Sequence, residues 1–390
     1  MDLSYILNEL GEERDEYFGA VAPPIIQTSN FVFTSVDKFR ASLQDEYSTW
    51  LYSRGLNPTV EILRKKLAAL DEAEDCLVFN SGASAIFASV LANVKSGDHI
   101  ISVKDPYTWA QKMFNQILPR FNVTVTYIDG TKIENFESAI QKNTTLIYLE
   151  TPNSWSYELQ DLKAVAELAK KNNIITICDN SYCTPLYQKP ILLGIDLVLQ
   201  SATKYISGHS DVVAGVLTGS AEMMRKIFNS EFLNTGSGIQ PFNAWLLIRG
   251  LRTLSVRLEK IQQTTIQMVN WLKFQPWVEK VIFPYDEDFP QITLAKKQMK
   301  NAAGLVTVVM KVNDVETIEL FCNSLHHILM AVSWGGYESL VVPRCVAMKK
   351  DEFDKSNENH RMLRFYFGLE EPDYIKNDLN NAYKISMSKM

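Results

Sequence analysis

Leu199-Gln-Ser-Ala-Thr-Lys-Tyr-Ile-Ser-Gly-His-Ser-Asp-Val-Val-Ala-Gly215 sets one lysine, Lys204, among hydroxyls and glycines directly after an apolar run. The segment Asp196 to Leu199 reads as a buried strand. Ser201, Thr203 and Lys204 then fall at its carboxyl end, where open α/β sheets present ligand sites. Lysine is rarely buried without a partner or a task. A desolvated lysine with a lowered pKa attacks carbonyl groups, and two neighbouring hydroxyls suit a phosphate. A surface lysine in a polar loop would carry the same letters, so the surrounding chain has to decide.

Outward from this stretch, strand and helix signals alternate. Upstream, Val60, Leu63, Leu67 and Leu70 step by three and four after Asn57-Pro58-Thr59, the signature of a capped helix. Strands are expected at Cys76–Phe79, His99–Val103, Val123–Ile128, Thr145–Leu149 and Ile174–Cys178, with helices at Ala85–Val94 and Leu162–Lys171. That order predicts an α/β fold with a mostly parallel sheet flanked by helices. A long helix over about 243–272 leads into a smaller C-terminal α+β domain, with strands at Val278–Phe283, Leu305–Val312 and Leu363–Phe367. Residues 1–50 lack a period and read as an arm, 51–242 as the large domain, and 243–390 as linking helix and small domain.

Composition narrows the partners. The chain has 390 residues, 46% of them hydrophobic, enough for a large core. A net charge of −6 with no basic stripe leaves no electrostatic footprint for nucleic acid. The amino terminus lacks a cationic start with an apolar core, and no apolar run reaches membrane-spanning length, so no membrane partner and a cytoplasmic location are expected. Five scattered cysteines fit reduced core positions, and the adjacent His326 and His327 make poor ligands from one helix face, so no metal is expected.

Other residues could complete a site around Lys204. Asn80-Ser-Gly82-Ala83-Ser84 lies between a strand and a helix, where backbone N–H groups and the helix dipole attract a phosphate. Asp179 ends a strand, and a carboxylate there can keep a pyridine nitrogen protonated. Tyr107 follows another strand and can lay its ring on a planar cofactor. Arg364 interrupts an apolar strand, where a guanidinium suits bidentate capture of a carboxylate. Each has a plainer reading, as turn residue, half-buried aromatic or structural ion pair.

Taken together, Tyr52-Ser-Arg54, Ser81-Gly-Ala83, Asp179-Asn180, Ser201-Ala-Thr-Lys-Tyr205, Gly208-His-Ser-Asp211, Arg249-Gly-Leu-Arg252 and Ser333-Trp-Gly-Gly-Tyr-Glu-Ser-Leu340 resemble the pyridoxal-phosphate enzymes of cysteine and methionine metabolism. The resemblance runs from about residue 20 to 385. It implies a fold-type I architecture, pyridoxal 5′-phosphate as cofactor, a sulfur amino acid as substrate, and a homotetramer with active sites shared between subunits. It makes Lys204 the Schiff-base lysine, Asp179 the partner of the pyridine nitrogen and Tyr107 the stacking ring. Gly82, Ala83, Ser201 and Thr203 would hold the phosphate, joined by Tyr52 and Arg54 from a neighbouring subunit. Arg364 would grip the substrate carboxylate, with Ser333 and Trp334 beside it.

Two departures bear on the reaction. Many relatives carry a proline-flanked asparagine near the cofactor's phenolic oxygen, where Thr151-Pro-Asn-Ser154 puts Ser154. Thr108-Trp109 replaces the glycine-rich continuation after the tyrosine of several γ-eliminating members. The Trp334 form resembles cystathionine β-lyases, which implies β-elimination of cystathionine to homocysteine, pyruvate and ammonia. The alternatives are γ-elimination, as in cystathionine or methionine γ-lyases, and γ-replacement, as in cystathionine γ-synthases. An aldolase using Lys204 alone would have no use for Asp179 and Tyr107, and a binding module without turnover no use for Arg364.

Overall fold

Seven strands, β1 Asp75–Phe79, β2 His99–Val103, β3 Thr124–Ile128, β4 Thr144–Glu150, β5 Ile175–Asp179, β6 Leu197–Ser201 and β7 Gly215–Gly219, form one sheet in a computed structural model that describes residues 1–388. Their order is β1-β7-β6-β5-β4-β2-β3. β2 to β6 run parallel, while β7 is antiparallel to both its neighbours, β1 and β6. The expected α/β sheet is therefore present, with one inverted strand that the sequence reading lacked.

Side-chain alternation sorts the core onto the two faces of this sheet. Leu146, Tyr148, Ile177, Leu197 and Leu199 pack with Ala85, Ile86 and Val90 of the helix Gly82–Leu91. Ile147, Leu149, Cys178 and Val198 pack with Leu162, Val165 and Ala169 of the helix Leu162–Lys171. Covering both faces is what makes the parallel strands near-continuously apolar. All five cysteines are buried and unbridged.

The chain divides into two compact units. The first comprises residues 1–154, 158–207 and 211–252, and the second 155–157, 208–210 and 253–390. The expected break after residue 242 falls instead after Arg252. The long helix is in fact two, Pro241–Arg252 and Leu254–Leu272, and the former packs on the helix Pro58–Asp71. The first residues of the expected arm are also bound to their own unit. The fully buried Lys66 donates to the carbonyls of Ile6 (3.0 Å) and Leu7 (3.2 Å) at the end of the helix Leu3–Asn8, and pairs with Glu12 at 3.1 Å. Trp245 Nε1 donates to the Pro23 carbonyl at 2.8 Å. The apolar side chains left exposed in the arm include Val32, Val36, Phe39 and Leu43.

The second unit is α+β. Its sheet, in the order β10-β11-β12-β9-β8, comprises β8 Val278–Ile282, β9 Leu305–Met310, β10 Leu329–Met330, β11 Leu340–Pro343 and β12 Met362–Tyr366. The helices Val315–Asn323 and Pro372–Ser388 pack together in this unit. No helix among the described residues is long and apolar enough to cross a membrane.

Candidate active site

In the first unit, β4, β5 and β6 end side by side on Glu150, Asp179 and Ser201. Asp179 is buried, and its carboxylate accepts the Ser181 N–H at 2.9 Å. Burial pushes that carboxyl up, while the hydrogen bond from Ser181 and the charge of Lys204 pull it down. The Ser181 hydroxyl in turn accepts the Ser201 N–H at 2.7 Å, tying the two strand ends together. Lys204 lies just beyond β6, half-buried, in a turn closed by its N–H on the Ser201 carbonyl at 3.1 Å. A lysine and a buried carboxylate thus sit within electrostatic reach of one another at the carboxyl edge of the sheet.

Beside them is a cradle made by omitting side chains. The helix Gly82–Leu91 starts after β1 with Ser81 as its N-cap, whose hydroxyl accepts the Ser84 N–H at 3.1 Å. Its first-turn N–H groups have no partner within the helix and point out along the axis. A methyl on Gly82 would come within 3.2 Å of Ser201 Oγ. A methyl on Gly215, paired with both Phe79 and Ser201, would strike the Ser81 carbonyl and approach Gly82 Cα to 2.9 Å. The helix start at Gly82 therefore packs directly against Ser201 and Gly215, with no room for a side chain at either glycine. Thr203 stands next to it with its hydroxyl engaged, donating to the Ala214 carbonyl (3.2 Å) and accepting the Ala214 N–H (3.0 Å). Gly250 lets a helix approach from behind, since a methyl there would reach within 2.6 Å of the Ile206 carbonyl oxygen.

Tyr107 is 42% exposed, and its ring position is held through its backbone. Its N–H donates to Glu150 Oε2 at 2.6 Å, while Glu150 Oε1 accepts the Ser154 N–H at 3.0 Å. One buried carboxylate thus anchors two loops, and Asn153 adds a bond to the Asp105 carbonyl at 2.9 Å. Burial and the neighbouring Asp179 push Glu150 up to about 8. Burial first, then Asp179 and Glu150, raise the Tyr107 hydroxyl, so it stays protonated at neutral pH. Sequence reasoning missed the anchoring role of Glu150. The available signal was an acid closing the apolar run of β4.

The remaining expected residues lie elsewhere. Tyr52 and Arg54 are exposed, stacked with the guanidinium 5.5 Å from the ring centroid, and line an open cavity of about 790 Å³ with Phe31, Val32 and Phe39. In the second unit, Arg364 is central in β12 and half-buried, 5.0 Å from the Trp155 ring centroid. Ser333 has a left-handed backbone (φ 83°), an uncommon state outside glycine that clusters at functional sites, and Trp334 is buried. Among the described residues no group of three His, Cys, Asp or Glu side chains could hold a metal.

This donor set fits pyridoxal phosphate: an amine, a buried carboxylate, an aromatic ring and a glycine at a helix start stand at the carboxyl edge of one sheet. The family described as Cys/Met metabolism PLP-dependent enzymes matches residues 6–384. An L-methionine gamma-lyase of Treponema denticola is 36% identical over 95% of this chain and 94% of its own. A cystathionine gamma-lyase of Homo sapiens is 32% identical over 96% and 92%. The crystal structure of metB from Corynebacterium glutamicum superposes with a TM-score of 0.90 at 29% identity, covering 98% of both chains. The chain belongs to the Cys/Met metabolism family of pyridoxal-phosphate-dependent enzymes and has the fold-type I architecture.

Proposed function

We propose that this family member, a carbon–sulfur lyase of sulfur amino acids, works by γ-elimination, releasing a thiol, 2-oxobutyrate and ammonia. The observation that carries the lyase reading is the placement of buried Asp179 at the end of β5 and of Lys204 just beyond the end of the adjoining β6. The preference for γ over the β-elimination expected from Trp334 rests on similarity to the two γ-lyases. Lys204 would form the covalent link to the cofactor, Asp179 would keep a proton on the ring nitrogen, and Gly82, Ala83 and Ser201 would hold the phosphate, with Thr203 beside them. When bound, pyridoxal phosphate supplies the electron sink that makes the substrate's Cα–H acidic.

The protein's own residues then divide the proton traffic. Lys204, once free, takes the Cα proton, and γ-elimination requires a further one from Cβ. Tyr107, kept protonated by burial and two carboxyls, is suited to protonate the departing thiolate. Arg364 would fix the substrate carboxylate, with Ser333 and Trp334 beside it, so that the bond to be broken stands perpendicular to the ring. Identifying the keto acid formed from cystathionine tests the choice: 2-oxobutyrate supports γ-elimination, and predominant pyruvate restores the β-lyase reading.

Assembly is part of the same proposal. Tyr52 and Arg54 would complete the phosphate site of a neighbouring copy in a homotetramer, a reading supported by their exposure beside the apolar side chains of the arm. Mixing Arg54→Ala with Lys204→Ala should restore activity in hybrids holding one intact site. Subunit exchange without recovery refutes shared sites.

A further inference from the structure

The group that holds the Tyr107 loop lies outside that loop. β4 and β5 run parallel with Glu150 opposite Asp179, so both acids leave the sheet on one face. Both are buried. Glu150 Oε2 accepts the Tyr107 N–H at 2.6 Å, and Oε1 accepts the Ser154 N–H at 3.0 Å. Across the same gap, Asn153 Nδ2 donates at 2.9 Å to the carbonyl of Asp105, whose backbone is left-handed (φ 50°). Two bonds to backbone atoms therefore fix the approach to Tyr107, and both run to the end of β4. The Tyr107 hydroxyl is raised by burial first and then by Asp179 and Glu150, which sets its ring within electrostatic reach of both acids.

Backbone N–H groups cannot be turned, so a side chain between two of them needs an acceptor at each end. A carboxyl has oxygen at both ends. Glutamine, of the same size, has oxygen at one end only and would set N–H against N–H at the other. A buried donor left unpaired costs enough to shift a loop. We propose that Glu150 is a positioning residue of this site, joining the Tyr107 loop and the turn at Ser154 into one body so that the Tyr107 ring keeps its angle against the cofactor. This rests on the assignment of Tyr107 to the cofactor, and Glu150 acts through that ring rather than on the reacting atoms.

Three readouts other than turnover test it. In cofactor-loaded Glu150→Gln, hydrogen exchange followed by mass spectrometry should quicken at least about fivefold over 105–109 and 151–154, with the rest of the sheet unchanged. The visible circular dichroism of the bound cofactor should fall by roughly half, and its retention, measured by equilibrium dialysis, should weaken about fivefold. Tyr107→Ala should weaken retention about tenfold, and adding Glu150→Gln to it should change that by less than about twofold, because the ring through which Glu150 acts is already gone. Glu150→Asp keeps oxygen at both ends on a stem one methylene shorter; it should show a smaller loss of the same kind, and it serves if Glu150→Gln does not fold. Additive losses in the double variant, or unchanged exchange over 105–109 beside a lowered melting temperature, would make Glu150 a structural acid and overturn the proposal. Full cofactor retention by Tyr107→Ala would overturn it too, removing Tyr107 from the site while Lys204 and Asp179 stand. Each outcome is independent of which keto acid the enzyme makes.

Discussion

Asp179 and Asp71 are both buried carboxyls against the same sheet, and they are built to opposite ends. Asp179 has the charge of Lys204 within reach and lies at the edge that carries the cradle. Asp71, at the end of the helix Pro58–Asp71, accepts only from neutral groups, Gln200 Nε2 and Thr218 Oγ1, both at 2.8 Å. Its second oxygen and Gln200 Oε1 are buried without a hydrogen-bond partner. Burial pushes Asp71 up to about 7. Gln200 and Ser201 are consecutive in β6, so strand alternation turns one toward Asp71 and the next toward the cradle. Burial raises both carboxyls, offset in part by the charge of Lys204 at Asp179 and of Lys189 at Asp71, but only Asp179 stands at the sheet edge beside Lys204 and the helix start at Gly82.

Removing the cation is the severest test of that contrast. Lys204→Ala should abolish the visible absorption of the cofactor-loaded protein and lower turnover roughly 10⁴-fold or more, whereas Asp71→Asn should leave kcat within about threefold. Comparable losses from both would erase the distinction.

The stability of Asp71 should run with pH in a predictable sense. Its folded pKa lies above the unfolded value, so the folded state holds the proton more tightly. The associated stabilisation is present below about pH 4 and is lost as pH rises toward 7, by up to roughly 4 kcal/mol. Denaturant melts across that window should show a shallower decline for Asp71→Asn, whose amide can donate to the unpartnered Gln200 oxygen. An unchanged slope would show that Asp71 is ionised after all.

At the other carboxyl, Asp179→Asn should cost about 10²-fold in kcat, with partial recovery in Asp179→Glu and little change in melting temperature. A smaller effect should follow from Gly215→Ala, whose methyl meets the Ser81 carbonyl. A loss of about 2 kcal/mol of stability, with weaker cofactor retention measured by dialysis, is expected. Full retention would mean that the cradle tolerates displacement.

Much of this architecture was legible in the sequence because parallel strands buried on two faces are apolar throughout. His99–Val103 and Leu162–Lys171 emerge with the bounds their patterns predict. β7 was not legible, since Gly215–Gly219 has glycine at both ends and too few side chains to show a period. The break at Thr253 is equally silent, because apolar spacing continues across it from Leu251 to Leu254. At the site, the strand-end positions of Lys204, Asp179 and Tyr107 could be read from where apolar runs stop. Glu150 also closes an apolar run, although its hold on two loops does not show in the sequence, and Asp71 could not be read because it stands in the acidic stretch Asp71-Glu-Ala-Glu-Asp75, which resembles a solvated surface.

The position of β7 sets a timetable for synthesis. β1 is the first of the seven strands to leave the ribosome, yet β7, the strand it pairs with, is made more than a hundred residues later. Until Gly215–Gly219 emerges, β1 has no ladder to join and the turn at Ser81-Gly82 has no Gly215 to rest on. The nascent chain must carry an unpaired apolar strand through most of the translation of its first unit, a state open to wrong pairing and a natural client for chaperones. Gly215 of that late strand packs against the turn at Ser81-Gly82, so the start of the helix Gly82–Leu91 reaches its final setting only when the sheet is whole.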